Sequence, residues 1–144
     1  MEDQRRGAHT VFDLRYHLVW CTKYRYQVLT GDIAIRARDL IREICASLEV
    51  KIMSGKVGKE HVHMYISIPP RLAVAKVVEM IKGRTSRKLQ MEYMSLRKKY
   101  WGQHLWARGY FVSSIGEVND AMIRSYIEHQ DEHHGNDEFT INVE

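Results

Sequence analysis

Two histidines one residue apart, His61 and His63, stand inside a strict alternation in the stretch Glu60-His61-Val62-His63-Met64-Tyr65-Ile66-Ser67-Ile68. Val62, Met64, Ile66 and Ile68 form one face, and His61, His63, Tyr65 and Ser67 the other. Period-two alternation predicts a half-buried strand that turns both imidazoles to the same side. Residues two apart on a strand lie about 6.7 Å from each other, near enough for both rings to lean onto one ion. The second unusual position is Gln130, where the apolar stripe Ile123, Tyr126, Ile127 of a predicted helix calls for another apolar side chain. A buried amide without partners costs about 1 to 3 kcal/mol, so Gln130 is expected to bind something. Tyr126 precedes it by one helical turn, with Cβ atoms about 5 to 6 Å apart. A helix laid across the histidine strand would deliver an amide oxygen and a phenol to a metal held by two imidazoles. That donor set, with open positions for phosphate, suits Mg²⁺ or Mn²⁺ better than a closed zinc site.

Each of these residues also has a plainer reading. A His-X-His pair on a strand is, taken alone, more often a polar surface feature, and a lone tyrosine at 126 more often belongs to a core or an interface. His17 reads as a hydrogen-bonded sheet histidine rather than a third metal neighbour. His129, His133 and His134 lie among Asp131 and Glu132 and read as solvated. Trp20, Trp101 and Trp106 could stack on unpaired bases, but tryptophan in or beside a strand more often fills a core.

The elements that must position these groups follow from periodicity. Val11 to Cys21 alternates as a long first strand after a loose polar stretch at residues 1 to 10. Thr30-Gly31-Asp32 precedes a helical stripe of Ile33, Ala37, Leu40, Ile41, Ile44 and Leu48. Val50 to Val57 reads as a strand joined to the histidine strand through Gly58-Lys59, a hairpin closed off by Pro69-Pro70. A second helix runs from Val74 to about Met94, with a break expected at Gly83. Leu105 to Ile115 reads as a fourth strand, and a third helix opens near Asn119-Asp120. The order is that of a split βαβ, an α+β ferredoxin-like βαββαβ antiparallel sheet with an added C-terminal helix carrying Tyr126. The histidines would lie mid-sheet on the face the first two helices leave uncovered, with the added helix as its cover.

Charge is divided along the chain. Between Lys82 and Lys99 seven bases face Glu92 alone, whereas between Glu117 and Glu144 eight carboxylates face only Arg124. The first segment favours a polyanion and the second a solvated tail, although an exposed helical face would read the same way. Cys21 and Cys45 lack any paired-ligand spacing, which fits free thiols in a reducing cytoplasm. No signal peptide or membrane span is read.

His61-Val62-His63 resembles the histidine-apolar-histidine motif of the single-tyrosine HUH transposases of bacterial and archaeal insertion sequences. The resemblance extends in order through Tyr16 to Arg25, Met80 to Ser86, Leu105-Trp106 with Tyr110 to Val112, and Tyr126 to Gln130. It covers about residues 11 to 133, read as the ordered core of one domain spanning 1 to 144. One departure is Lys59-Glu60, where family members carry proline and aspartate; an acid is retained. The resemblance implies that Tyr126 is the nucleophile, leaving a 5′-phosphotyrosine and a free 3′-hydroxyl on single-stranded DNA. It implies that His61, His63 and Gln130 hold Mg²⁺ or Mn²⁺, and that a homodimer binds DNA hairpins at the element's ends, with active sites open to sharing between subunits. Arg84, Arg87 and Lys88 are the candidate phosphate contacts. Two other classes stay open: a non-catalytic single-stranded nucleic-acid binder, which leaves Gln130 unexplained, and a metal-dependent hydrolase, which needs no tyrosine.

Overall fold

In the computed structural model, which describes residues 4–114 and 120–130, the alternating stretches form strands and the helical stripes form helices. In chain order these are β1 (Arg5–Arg6), β2 (Val11–Phe12), β3 (Arg15–Cys21), α1 (Gly31–Ser47), β4 (Lys51–Val57), β5 (His61–Ser67), α2 (Val74–Glu92), α3 (Met94–Lys99), β6 (Phe111–Ser113) and α4 (Asp120–Gln130). β3 to β6 form one antiparallel sheet in the order β4-β5-β3-β6. This is the expected ferredoxin-like arrangement, and β5 and β3 are its two central strands.

Alternation assigns the two faces of that sheet. Leu18 and Trp20 of β3 and Val62, Met64 and Ile66 of β5 are buried against Ala37, Ile41 and Ile44 of α1 and Val77, Ile81 and Leu89 of α2. Each such side chain contributes about 1.5 to 3 kcal/mol of burial, so this layer fixes the register of β5 and thereby the direction of its histidines. The other face carries Val19 and Cys21, on which Ile123 and Ile127 of α4 pack. The added helix therefore packs on this face at Val19 and Cys21.

Four expectations are corrected. The stretch from Val11 to Cys21 is not one strand: Val11–Phe12 pairs with Arg5–Arg6 in a separate hairpin, and Asp13 turns back to hold Arg15 at 2.6 and 3.0 Å. Residues 5 and 6 are thus structured rather than loose, with Arg5 donating to the carbonyl oxygens of Ser67 and Glu49 at 3.0 and 2.8 Å. α2 passes through Gly83 unbroken, because the apolar stripe on either side of it is buried. The fourth strand shrinks to Phe111–Ser113: Trp106 makes a single bridge to Thr22, and its indole Nε1 donates to Thr85 at 2.9 Å, turning that segment onto α2.

Neither Cys21 nor Cys45 is in a disulfide; both are buried, and burial pushes the Cys45 thiol up to about 12. Among the described residues no helix is long and apolar enough to cross a membrane.

Candidate active site

The β3–β5 register sets Cys21 opposite His61, Val19 opposite His63 and His17 opposite Tyr65. His61 is fully buried and its placement is determined from two sides. Oε1 of the buried Glu60 lies 2.7 Å from Nδ1 of His61. Across the hairpin, the Gly58 amide donates to the His61 carbonyl at 2.8 Å. A Cβ at Gly58 would stand 2.3 Å from Cε1 and 2.6 Å from Nδ1 of the ring, so only glycine leaves the imidazole its seat. The backbone carbonyl of Glu60 in turn accepts from the Thr22 amide at 2.9 Å, which anchors the carboxylate residue to the end of β3.

His63 is half-buried and meets His17, whose Nδ1 is 3.3 Å from its Nε2. His17 also stacks on Tyr65 with ring centroids 4.2 Å apart. It is therefore the hydrogen-bonded sheet histidine that its pattern suggests, a partner that orients His63. Lys56 is the register partner of His63 on β4.

α4 brings Tyr126 to this face. The half-buried phenol packs with the Val19, Cys21, Ile123 and Ile127 cluster, and its ring centroid is 5.7 Å from that of Phe111. Burial raises its pKa well above the usual phenol range, and the Cys21 thiol adds to the shift. Gln130 ends the same helix one turn later, but its side chain lies outside the described residues, as do the side chain of His129 and all of His133 and His134.

The imidazoles fit a divalent cation. With Nδ1 of His61 donating to Glu60, Nε2 would carry the lone pair, the pairing by which a carboxylate orients a metal-binding histidine. Among the described residues no group of three or more His, Cys, Asp and Glu is placed to hold a metal ion.

A cleft of about 890 Å³ opens beside this face, between α2 and the segment that follows α3. Lys23, Arg87, Arg97 and Arg108 line it, with Gly83 on its α2 wall. Lys82 also lines it but holds the loop, donating to the carbonyl oxygens of Ala107 and Gly109 at 2.8 and 2.9 Å; burial lowers its pKa. Ser86 Oγ accepts from the Leu105 amide at 3.1 Å, and Gln90 donates to the Gln103 carbonyl at 2.5 Å. Ala107 belongs to both regions, lining the cleft while packing in the cluster that contains Tyr126, and its amide donates to the Cys21 carbonyl at 2.8 Å. Of the three candidate phosphate contacts, Arg87 lines the cleft, whereas Arg84 and Lys88 are exposed on α2 outside it. Arg108 had no periodic signal because it stands on a loop, and Lys23 had none because it opens a single 3-10 turn, Lys23–Arg25. Glu60 could have been singled out from its place beside His61, and Lys56 from the hairpin register.

Comparison with known proteins finds relatives over most of the chain. The family model described as "Transposase IS200 like" matches residues 10–130. The ISDra2 transposase TnpA of Deinococcus radiodurans is 36% identical over 128 residues, covering 89% of this chain and 91% of that protein. The transposase for insertion sequence element IS200 of Salmonella typhimurium is 34% identical over 130 residues, covering 90% and 85%. A crystal structure from Deinococcus radiodurans R1, described as that of a transposase, superposes with a TM-score of 0.80 at 32% identity, covering 88% and 97%. A REP-associated tyrosine transposase bound to a REP hairpin shares the fold, with a TM-score of 0.56 at 16% identity over 91% and 74% of the two chains.

Proposed function

Because the chain belongs to the IS200-like transposases, a family of DNA strand transferases, we propose that it cleaves and rejoins single-stranded DNA at the ends of an insertion element through Tyr126. The observation that carries this reading is the position of Tyr126 beside Cys21, the cross-strand partner of His61, on the sheet face that also bears His63.

The phenol oxygen attacks the scissile phosphorus as the bond to the 3′-oxygen breaks. The phenol loses its proton, the departing oxygen gains one, and the products are a 5′-phosphotyrosine and a free 3′-hydroxyl. A second 3′-hydroxyl reverses the step and rejoins strands, since the phosphoester bond is conserved throughout. Packing of Tyr126 against Phe111 and the α4 cluster holds the ring in place and keeps the resting side chain a neutral phenol. His61, His63 and Gln130 would hold Mg²⁺ or Mn²⁺; bound there, the ion supplies positive charge that polarises the phosphate and favours phenolate and the departing oxygenate. Glu60 and His17 orient the two imidazoles. Arg87, Arg97 and Arg108 line a cleft suited to the phosphates of the strand, including those of a hairpin like the one bound by the REP-associated relative. Arg84 and Lys88 would meet DNA only where it extends over the outer side of α2.

The test uses labelled single-stranded DNA from the element's ends with Mg²⁺ or Mn²⁺. The parent protein is expected to give a detergent-stable adduct and a free 3′-hydroxyl fragment; Tyr126→Phe should bind but form no adduct, and His61→Ala should lose cleavage while remaining folded. Cleavage that survives in Tyr126→Phe would instead indicate hydrolysis by water, and binding without any cleavage would indicate a binder. The protein is further proposed to act as a homodimer. Mixing Tyr126→Phe with His61→Ala subunits restores cleavage only if the tyrosine of one subunit serves the histidines of the other.

A further inference from the structure

Trp101 is the most exposed large apolar side chain among the described residues, with 87% of its surface open, while Trp20 and Trp106 are buried against each other. Its backbone is as unusual as its exposure. α3 ends in a turn in which the Gly102 amide donates to the Arg97 carbonyl at 2.9 Å, the six-to-one bond of a helix C-terminus that favours glycine at the preceding position. Trp101 occupies that position with φ +56°, followed by Gly102 at +71°. A bulky side chain in the left-handed region is strained, and here no burial offsets the strain. Neither local conformation nor packing accounts for tryptophan at this place.

The surroundings indicate what would. Arg97 and Lys98 flank the indole in a shallow surface depression, and Arg97 and Gly102 also line the large basic cleft. The turn is firmly mounted: Tyr100, just before it, is buried, meets the Tyr26 ring at a tilt with centroids 5.5 Å apart, and donates from its hydroxyl to the Lys23 carbonyl at 3.2 Å. A rigidly displayed indole between cations, at the rim of a groove suited to phosphates, has the chemistry of a stacking platform.

We infer that Trp101 stacks on an unpaired base of the bound DNA strand, with Arg97 and Lys98 contacting the flanking phosphates. This rests on the single-stranded DNA reading above and adds a base-contact subsite away from Tyr126. Trp101→Gly suits the left-handed backbone and should retain the fold, and it is expected to lower affinity for single-stranded DNA about tenfold or more while changing duplex affinity little. Trp101→Phe should recover most of the loss. Indole emission of the parent should be quenched by the single strand, and that quenching should vanish in Trp101→Phe although binding persists. Unchanged single-strand affinity in Trp101→Gly would overturn the inference and leave the transposase reading intact. A changed sedimentation coefficient with unchanged DNA affinity would likewise overturn it, showing a protein contact instead. Failure of the parent to bind single-stranded DNA at all would overturn both.

Discussion

Oε1 of Glu60 lies 2.7 Å from Nδ1 of His61, within a pair that is almost wholly buried. A carboxylate so placed favours one imidazole tautomer and fixes the orientation of the ring. Glu60→Gln keeps the shape and a hydrogen-bond acceptor but removes the charge. Its affinity for Mn²⁺, followed by calorimetric titration, is expected to fall about 10- to 100-fold with thermal stability little changed. Metal affinity equal to that of the parent would show that the pair serves folding alone.

Gly83 sits in the interior of α2, on the wall of the basic cleft, where an added Cβ would meet nothing within 4 Å. Glycine in a helix interior costs about 0.5 to 1 kcal/mol relative to alanine, and no neighbour among the described residues requires its small size. Gly83→Ala should therefore raise the melting temperature while weakening single-stranded DNA binding, because the space serves the ligand's backbone. A stabilised variant with undiminished affinity would contradict this.

The sheet and its strand order were legible because alternation in β3 and β5 has one solution on a two-sided sheet. Gly58 was read as a turn residue; that it also seats the His61 ring depends on a contact across the hairpin that no local pattern encodes. The long fourth strand failed because Leu105 and Trp106 are apolar for α2 rather than for the sheet, held there by Thr85 and Ser86. The basic segment was visible as charge, but helical geometry divides it, directing Arg87 to the cleft and leaving Arg84 and Lys88 outside. Trp101 went against the general rule for tryptophan, since its position on a helix-ending turn appears only in the backbone angles.

Burial raises the Tyr126 pKa, so the phenol is neutral throughout the physiological range and must lose its proton to react. The rate of adduct formation should accordingly rise with pH, by up to about tenfold per unit between about pH 6 and 8, as the small phenolate fraction grows. Measured under single-turnover conditions, a rate that falls over this interval would contradict a phenol nucleophile.

The central claim is that Tyr126 becomes joined to DNA, and peptide mapping of the adduct tests it most directly. Trypsin cuts after Arg124, and between Ser125 and Glu144, where there is no lysine or arginine, Tyr126 is the only tyrosine of the peptide that begins at Ser125. After incubation with a cognate single strand and Mg²⁺, nuclease trimming and mass spectrometry should find the nucleotide on that peptide, at Tyr126. A nucleotide on any other residue, or cleaved DNA with every peptide unmodified, would contradict the account.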